Sequence, residues 1–418
     1  PVSTRRAHAI LVVAFGERFA PADNTLSRWV LKYGRLARRI MAESAASAMI
    51  RFVAADEIYF HGQPILCAVD PRSMTIAALE RSLDSQGDSW EIVFSYFPNL
   101  ELMASDMGKG LLAGIDRFDA ASQVDLLHFS WLWPDVGKKL SERAQDALDS
   151  EYLYRDHVFD PHCPGRKPWK ALAEAEAITA QCLDDYEAYL TARELFYQAM
   201  SPFDSNHCLA TEKAQLALLD RATELLRTIE APRSGAKKLS NSLETYRERL
   251  VAFTRALWDI DVKLREGSNW RKKRVIAALG FYHGVVNALA KARSHREKVQ
   301  LCSLLPRACE LRAEVYKHCE NVHEVDAALE LEVNNPLRSS SMVECINSKL
   351  RKLEVILNHV NQPFLNLIAL EHNLTPFERS EKRAGRSPYE MLGVPIEGDE
   401  DGFLGVLLSR ARREGMLK

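Results

Sequence analysis

The chain has 418 residues, 47% apolar and 27% charged, a globular make-up too long for one ordinary core, so two to three domains are expected. A formal net charge of −2 excludes a chain whose overall charge seeks polyanions, and no apolar run nears the roughly eighteen residues of a membrane helix. Eight cysteines without a Cys-x-x-Cys pair suit a reducing compartment rather than a disulfide framework.

The numbering opens at Pro1 rather than Met and shows no charged-then-apolar export pattern, so the true start is expected upstream and export is not expected. Residues 1–49 read as helices broken near Pro21–Asn24. The second, from Thr25 to about Ser44, carries Arg28, Lys32, Arg35, Arg38 and Arg39. A helix, a short polar turn and a basic helix suggest a helix-turn-helix DNA-binding remnant; a solvated surface is the plain alternative.

From Ile50 the texture changes to short apolar runs separated by turn residues: Ile50–Ala55, Pro64–Val69, Met74–Leu79, then a helix over Trp90–Tyr96 and a strand over Leu100–Ser105. This places residues 50–134 in a mixed α/β sheet. Asp70, before Pro71, reads as a turn residue. Residues 135–330 lose the strand texture. Trp169–Met200, Thr211–Ile229, Leu239–Glu266, Trp270–Ala292 and Arg296–Cys319 all have helical periodicity without a fixed repeat, so an all-α domain is expected there. Between Arg233 and Lys298 stand sixteen Lys or Arg against six Asp or Glu, including the run Arg271, Lys272, Lys273, Arg274. Such a patch attracts phosphates, although one patch alone is equally a solvated helix face. A second basic stretch includes Arg379, Lys382, Arg383 and Arg386. Cys309 with His318 and Cys319, or His157 with His162 and Cys163, lack the paired spacing of a structural zinc site. Residues 331–418 return to the sheet domain, with a final helix from about Ser341 and a basic tail.

Asp56 directly follows the first apolar run and Asp106 directly follows Leu100–Ser105. Carboxylates at adjacent strand ends suit hard divalent cations, which prefer oxygen donors and leave room for substrate phosphates. Alone, such aspartates are more often turn formers or caps. Glu57 is an alternative ligand, disfavoured by strand register. Glu344 shares a polar helix face with Asn347, Ser348 and Arg351, while Val343, Ile346, Leu350, Leu353 and Leu357 form the apolar face. Ser341–Glu344 also has the spacing of a capping box, in which Glu344 would only tie off a helix start.

Four blocks in order resemble a known family. Asp56-Glu57-Ile58-Tyr59-Phe60-His61-Gly62-Gln63-Pro64-Ile65-Leu66, running on to Val69-Asp70-Pro71-Arg72-Ser73-Met74, is similar to the first catalytic block of bacterial insertion-sequence transposases of the DDE type. Leu102-Met103-Ala104-Ser105-Asp106-Met107-Gly108-Lys109-Gly110 is similar to their second. Asp125-Leu126-Leu127-His128 matches the Asp/Cys-x-x-His signature of members with helical insertions. Ser339–Arg351 resembles the third block, and His372–Phe377 with Gly385–Gly393 the C-terminal stretch. The family's polar helix after His128 is replaced here by Phe129-Ser130-Trp131-Leu132-Trp133-Pro134.

The resemblance implies an RNase H-like mixed sheet interrupted by a large all-α insertion, with N-terminal helices. It implies Asp56, Asp106 and Glu344 as catalytic metal ligands for two Mg²⁺ or Mn²⁺ ions. Asp125, His128, Asn347 and Arg351 then take supporting roles, Arg351 as a basic residue holding DNA, while His128, set among Leu126, Leu127 and Phe129, reads equally as a core histidine. Trp131 and Trp133 are candidates for stacking on a flipped base, with packing as the plainer role, and Arg271–Arg274 for gripping phosphates. The implied activity is metal-dependent phosphodiester cleavage and strand transfer at the ends of a mobile element, by a homodimer or larger assembly, in the bacterial cytoplasm at the nucleoid. The alternatives are a domesticated, catalytically silent DNA-binding protein and a metal-dependent nuclease that does not join strands.

Overall fold

The computed structural model describes residues 4–47, 50–159, 166–355, 357, 360–379, 383–395 and 402–417. They form two compact units. The first runs to Asp125 and resumes at Arg338; the second is Leu126–Leu337.

The first unit opens with helices α1 (Thr4–Phe15) and α2 (Asp23–Ser47). Next come strands β1 (Phe52–Phe60), β2 (Gln63–Val69) and β3 (Ile76–Arg81), helix α3 (Gly87–Phe94), strand β4 (Leu102–Ser105), helix α4 (Lys109–Ile115) and strand β5 (Ala121–Val124). The strands make one five-stranded sheet in the order β3-β2-β1-β4-β5. β1, β2 and β3 form an antiparallel meander, while β4 lies parallel to β1 and β5 parallel to β4. The β1–β2 turn is His61-Gly62, both with positive φ (47° and 80°), as a two-residue hairpin loop of matching twist requires.

Both faces of the sheet are covered, which is why its strands read as nearly continuous apolar runs. On one face Ala54, Ile58, Phe60, Cys67 and Ile76 pack with residues of α14 (Ser341–Glu354) and α15 (Gln362–Leu374). On the other, Val53, Ala55 and Leu66 pack with Trp90, Phe94, Leu111 and Ile115 of α3 and α4. α2 lies along α15: Leu36, Ala37 and Ile40 are buried with Leu370, Tyr389 and Leu407, the last two from α16 (Pro388–Leu392) and α17 (Gly402–Arg413). The approach is close enough that a Cβ on Gly34 would lie 2.1 Å from the Pro363 carbonyl oxygen. One face of α2 is therefore core, and Arg28, Lys32, Arg35 and Arg39 line a shallow groove on another beside Met416.

The second unit is helical: α5 (Leu126–Ser130), α6 (Leu132–Phe159), α7 (Arg166–Ala199), α8 (Glu212–Thr228), α9 (Ala236–Leu250), α10 (Phe253–Trp258), α11 (Lys272–Lys291), α12 (His295–His318) and α13 (Val322–Asn334). Its cores include Trp133, Tyr189 and Phe196 between α6 and α7, and Phe253, Leu279, Val315 and Leu329 among α10–α13. Among the described residues no helix is long and apolar enough to cross a membrane.

Several boundaries differ from those read in the sequence. β1 continues five residues past Ala55, β3 ends at Arg81, and β5 was not expected at all. The helix expected over Leu239–Glu266 is broken at Val251, dividing α9 from α10. Helix begins at Leu126, directly after β5, so residues 126–134 belong to the helical unit rather than to the sheet.

Candidate active site

Strand register brings the two aspartates together. The last parallel pair between β1 and β4 is Ala55↔Ser105, so Asp56 and Asp106 are the next residues along on adjacent strands. Asp56 does not end its strand, as the sequence suggested. It remains paired to Cys67 of β2, and only its β4 neighbour stops. Past Ser105 the chain turns into α4, and the Gly108 N–H donates to Asp106 Oδ1 at 2.8 Å. A Cβ on Gly108 would meet that same oxygen at 2.8 Å, so glycine permits this approach without displacing the carboxylate.

The third edge carboxylate is Asp125. β5 pairs with β4 through Ser105↔Val124, which puts Asp125 next to Asp106 in register. Its role is different. Asp125 is fully buried, and its Oδ2 accepts from the Ser340 backbone N–H (2.7 Å), the Ser340 hydroxyl (2.5 Å) and the Ser339 hydroxyl (3.3 Å). It thereby fixes the residues from which α14 starts. Ser340, the N-cap, makes no side-chain cap bond to the helix, so the capping box over Ser341–Glu344 does not form. Glu344 is left in the first turn of α14, half-buried.

One turn on, Asn347 is 1% exposed, and its Nδ2 donates to Asp56 Oδ2 at 2.8 Å. At the far end of α14, Glu354 accepts from the His61 N–H at 2.9 Å, and His61 Nε2 bonds the Leu357 carbonyl at 3.0 Å. The aromatic-His step in the first block is thus a staple between the β1–β2 turn and α14. Arg351 is exposed on α14, two turns beyond Glu344. Asp70 is a turn residue: its Oδ2 accepts from Ser73 N–H and hydroxyl.

The electrostatics are those of an uncompensated acidic cluster. The Asp56 carboxyl is pushed up to about 7, first by burial and then by the nearby charges of Asp106, Glu57 and Glu344; its bond from the Glu57 N–H pulls the other way. Glu57, on the opposite face of β1, is also pushed up to about 7, by burial and by Asp106. Among the described residues no lysine or arginine offsets either shift. Among the described residues, no three Asp, Glu, His or Cys side chains stand close enough to hold one ion as they are. Like charges with no cation between them keep apart. The donor set nonetheless fits a hard divalent cation. Its groups are oxygens, they repel one another, and two buried acceptors beside them, Asn347 Oδ1 and Glu57 Oε2, lack a hydrogen-bond partner.

The remaining candidates lie in the second unit. Trp133 is fully buried against Phe196 and Tyr189, so it is not available to stack on a base; the apolar seam of α6 and α7 claims it. Trp131 is 59% exposed and meets the His128 ring edge-on at 4.6 Å. Arg271–Arg274 are exposed at the start of α11, with Arg274 over the Trp270 ring at 4.3 Å and Lys272 4.0 Å from Asp261. Lys382, His162 and Cys163 lie outside the described residues. The anchoring role of Asp125 was missed in the sequence. Its signal was the Asp-x-x-His spacing, which marks the residue without saying that it holds a helix start.

No protein-family model matches this chain, and no curated protein matches it.

Proposed function

We propose that the protein is a DNA transposase with an RNase H-like core that cuts and joins phosphodiester bonds at the ends of a mobile element, with Asp56, Asp106 and Glu344 holding the divalent ions. The observation that carries this reading is the parallel register of β1 and β4. It makes Asp56 and Asp106 neighbours, while Glu344 on α14 is close enough to act on the charge of Asp56. The mixed sheet, with an antiparallel meander and two further strands parallel to β1, supports the RNase H-like assignment, as does its interruption by a helical unit between Asp125 and Arg338.

Bound Mg²⁺ or Mn²⁺ would supply a nucleophile at neutral pH and stabilise the leaving oxygen of an in-line displacement. The chain's own groups do the rest. Asp56 and Asp106, on a rigid sheet, and Glu344, on a helix clamped at both ends, set the geometry of the donors. Water attacks the phosphorus and the 3′-oxygen leaves, giving a 3′-hydroxyl and a 5′-phosphate. That hydroxyl then attacks a phosphodiester of target DNA: a new bond forms from its oxygen to the phosphorus, the bond to the target strand's own 3′-oxygen breaks, and the proton lost by the attacking hydroxyl is balanced by one taken up by the leaving 3′-oxygen. Arg351, Arg271–Arg274 and Trp131 are assigned to DNA contact, in a homodimer or larger assembly at the bacterial nucleoid.

The test is strand cleavage and joining with purified protein, Mg²⁺ or Mn²⁺, and DNA carrying candidate element ends. Asp106→Asn is expected to abolish both reactions, and a variant that keeps full cleavage would refute the assignment. Cleavage without joining of 3′-hydroxyl ends would mark a nuclease instead.

A further inference from the structure

A buried amide beside the acidic cluster has half its hydrogen-bonding capacity unused. Asn347 is 1% exposed. In the structure Nδ2 donates to Asp56 Oδ2 at 2.8 Å, which leaves Oδ1 as the other polar end of the amide. That Oδ1 is buried and has no partner. Leaving an acceptor buried and unpaired is costly, so such an atom calls for a specific explanation. An apolar residue of similar size, such as the leucines that α14 uses at 350 and 353, would avoid that cost. Asn347 also lies one turn from Glu344 on the same helix, the spacing at which side chains share a face.

We infer that Asn347 is a neutral oxygen ligand of the divalent-cation site, its Nδ2 holding Asp56 in place while its Oδ1 joins the donor set. Amide oxygens are ordinary ligands of hard cations and add a donor without adding to the repulsion among carboxylates. An all-carboxylate set at this position would deepen the charge problem that Asp56 already has. The inference rests on the carboxylate site proposed above.

The test is Mn²⁺ binding to the full-length protein by titration calorimetry, without DNA, for wild type, Asn347→Leu and Asn347→Asp. Circular dichroism in chelator shows whether each variant is folded. Asn347→Leu removes both amide functions and is expected to weaken Mn²⁺ binding at least about tenfold. Asn347→Asp loses the donor to Asp56 but keeps an oxygen where Oδ1 stood, and is expected to bind Mn²⁺ as tightly as wild type or tighter. If the amide only steadies Asp56, the aspartate variant is as weak as the leucine variant, and the inference is overturned. Wild-type affinity in a folded leucine variant overturns it equally. Should Asn347→Leu fail to fold, the aspartate variant decides alone, since tenfold weaker binding there is the refuting result. A wild-type protein that binds no Mn²⁺ defeats the carboxylate site itself, an outcome distinct from all of these.

Discussion

Asp56 and Glu57 are neighbours in sequence on opposite faces of one strand, and both are pushed up to about 7. Folding thus raises two carboxyls above their ordinary values of 3.8 and 4.5. Between about pH 4 and pH 7 the native protein then binds more protons than the unfolded chain, and stability falls as pH rises through that window. Asp56→Asn removes one of the charges. In chelator the variant is expected to lose less stability than wild type between about pH 5 and about pH 7.5, measured as the urea midpoint at each pH, and Mn²⁺ should narrow the difference by restoring wild type alone. A gap that does not change with pH would show that Asp56 carries no such shift. The pairing of Asp56 with Asp106 was legible from the short runs that precede them. The burial of Glu57 was not, because alternation says which face a residue takes and not how deeply the helices cover it. For Trp133 the plainer of the two roles read in the sequence, packing, is the one the seam of α6 with α7 gives it, and base stacking is the role that falls away.

Among the elements, α14 bears most on the site and is held from outside itself. Asp125 accepts three bonds at its start, and the His61 turn bonds Glu354 and Leu357 at its end. Replacing Asp125 with alanine strands a backbone N–H and a buried hydroxyl, each worth about 1–3 kcal/mol. Asp125→Ala is therefore expected to cost roughly 3 kcal/mol in urea unfolding and to weaken Mn²⁺ binding as well, because Glu344 loses its fixed helix start. Loss of stability with unchanged Mn²⁺ affinity would mean that Glu344 is not a ligand. The existence and polarity of α14 were legible from its apolar spacing, but its cap was not. Ser339, Ser340 and Ser341 are equivalent as cap formers in the sequence, and a carboxylate more than two hundred residues away chooses among them. β5 was missed because Ala121-Ser122-Gln123-Val124 is short and half polar, and pairing with β4 rather than propensity makes it a strand. β1 was read short because Asp56 and Glu57 look like a turn, while the hairpin with β2 carries the strand on to Phe60.

At the scale of the molecule, the helical unit leaves the sheet after Asp125 and returns at Arg338, and the bond from Ser340 N–H to Asp125 shows how close the two points are. Replacing residues 126–337 with a short glycine-serine linker of about six residues should therefore leave a sheet unit that folds. The expected result is a single cooperative thermal transition with mixed α/β circular dichroism; a protein without such a transition would show that the sheet cannot stand without the helices. That the chain contains a helical stretch set between two parts of a sheet domain was legible from the change in texture after Pro134. Where the change falls was not, since α5 begins as an apolar run like the strands before it. The same bond has a consequence in time. It joins residues 215 apart, and closing a flexible loop of that length costs about 5 kcal/mol in chain entropy. A helical segment that folds first, from local contacts, removes most of that cost by bringing its own ends together. The acidic cluster should then be the last part of the protein to form, and refolding of the intact chain should show helical signal rising before Mn²⁺ binding is regained. In the linker variant that delay should disappear.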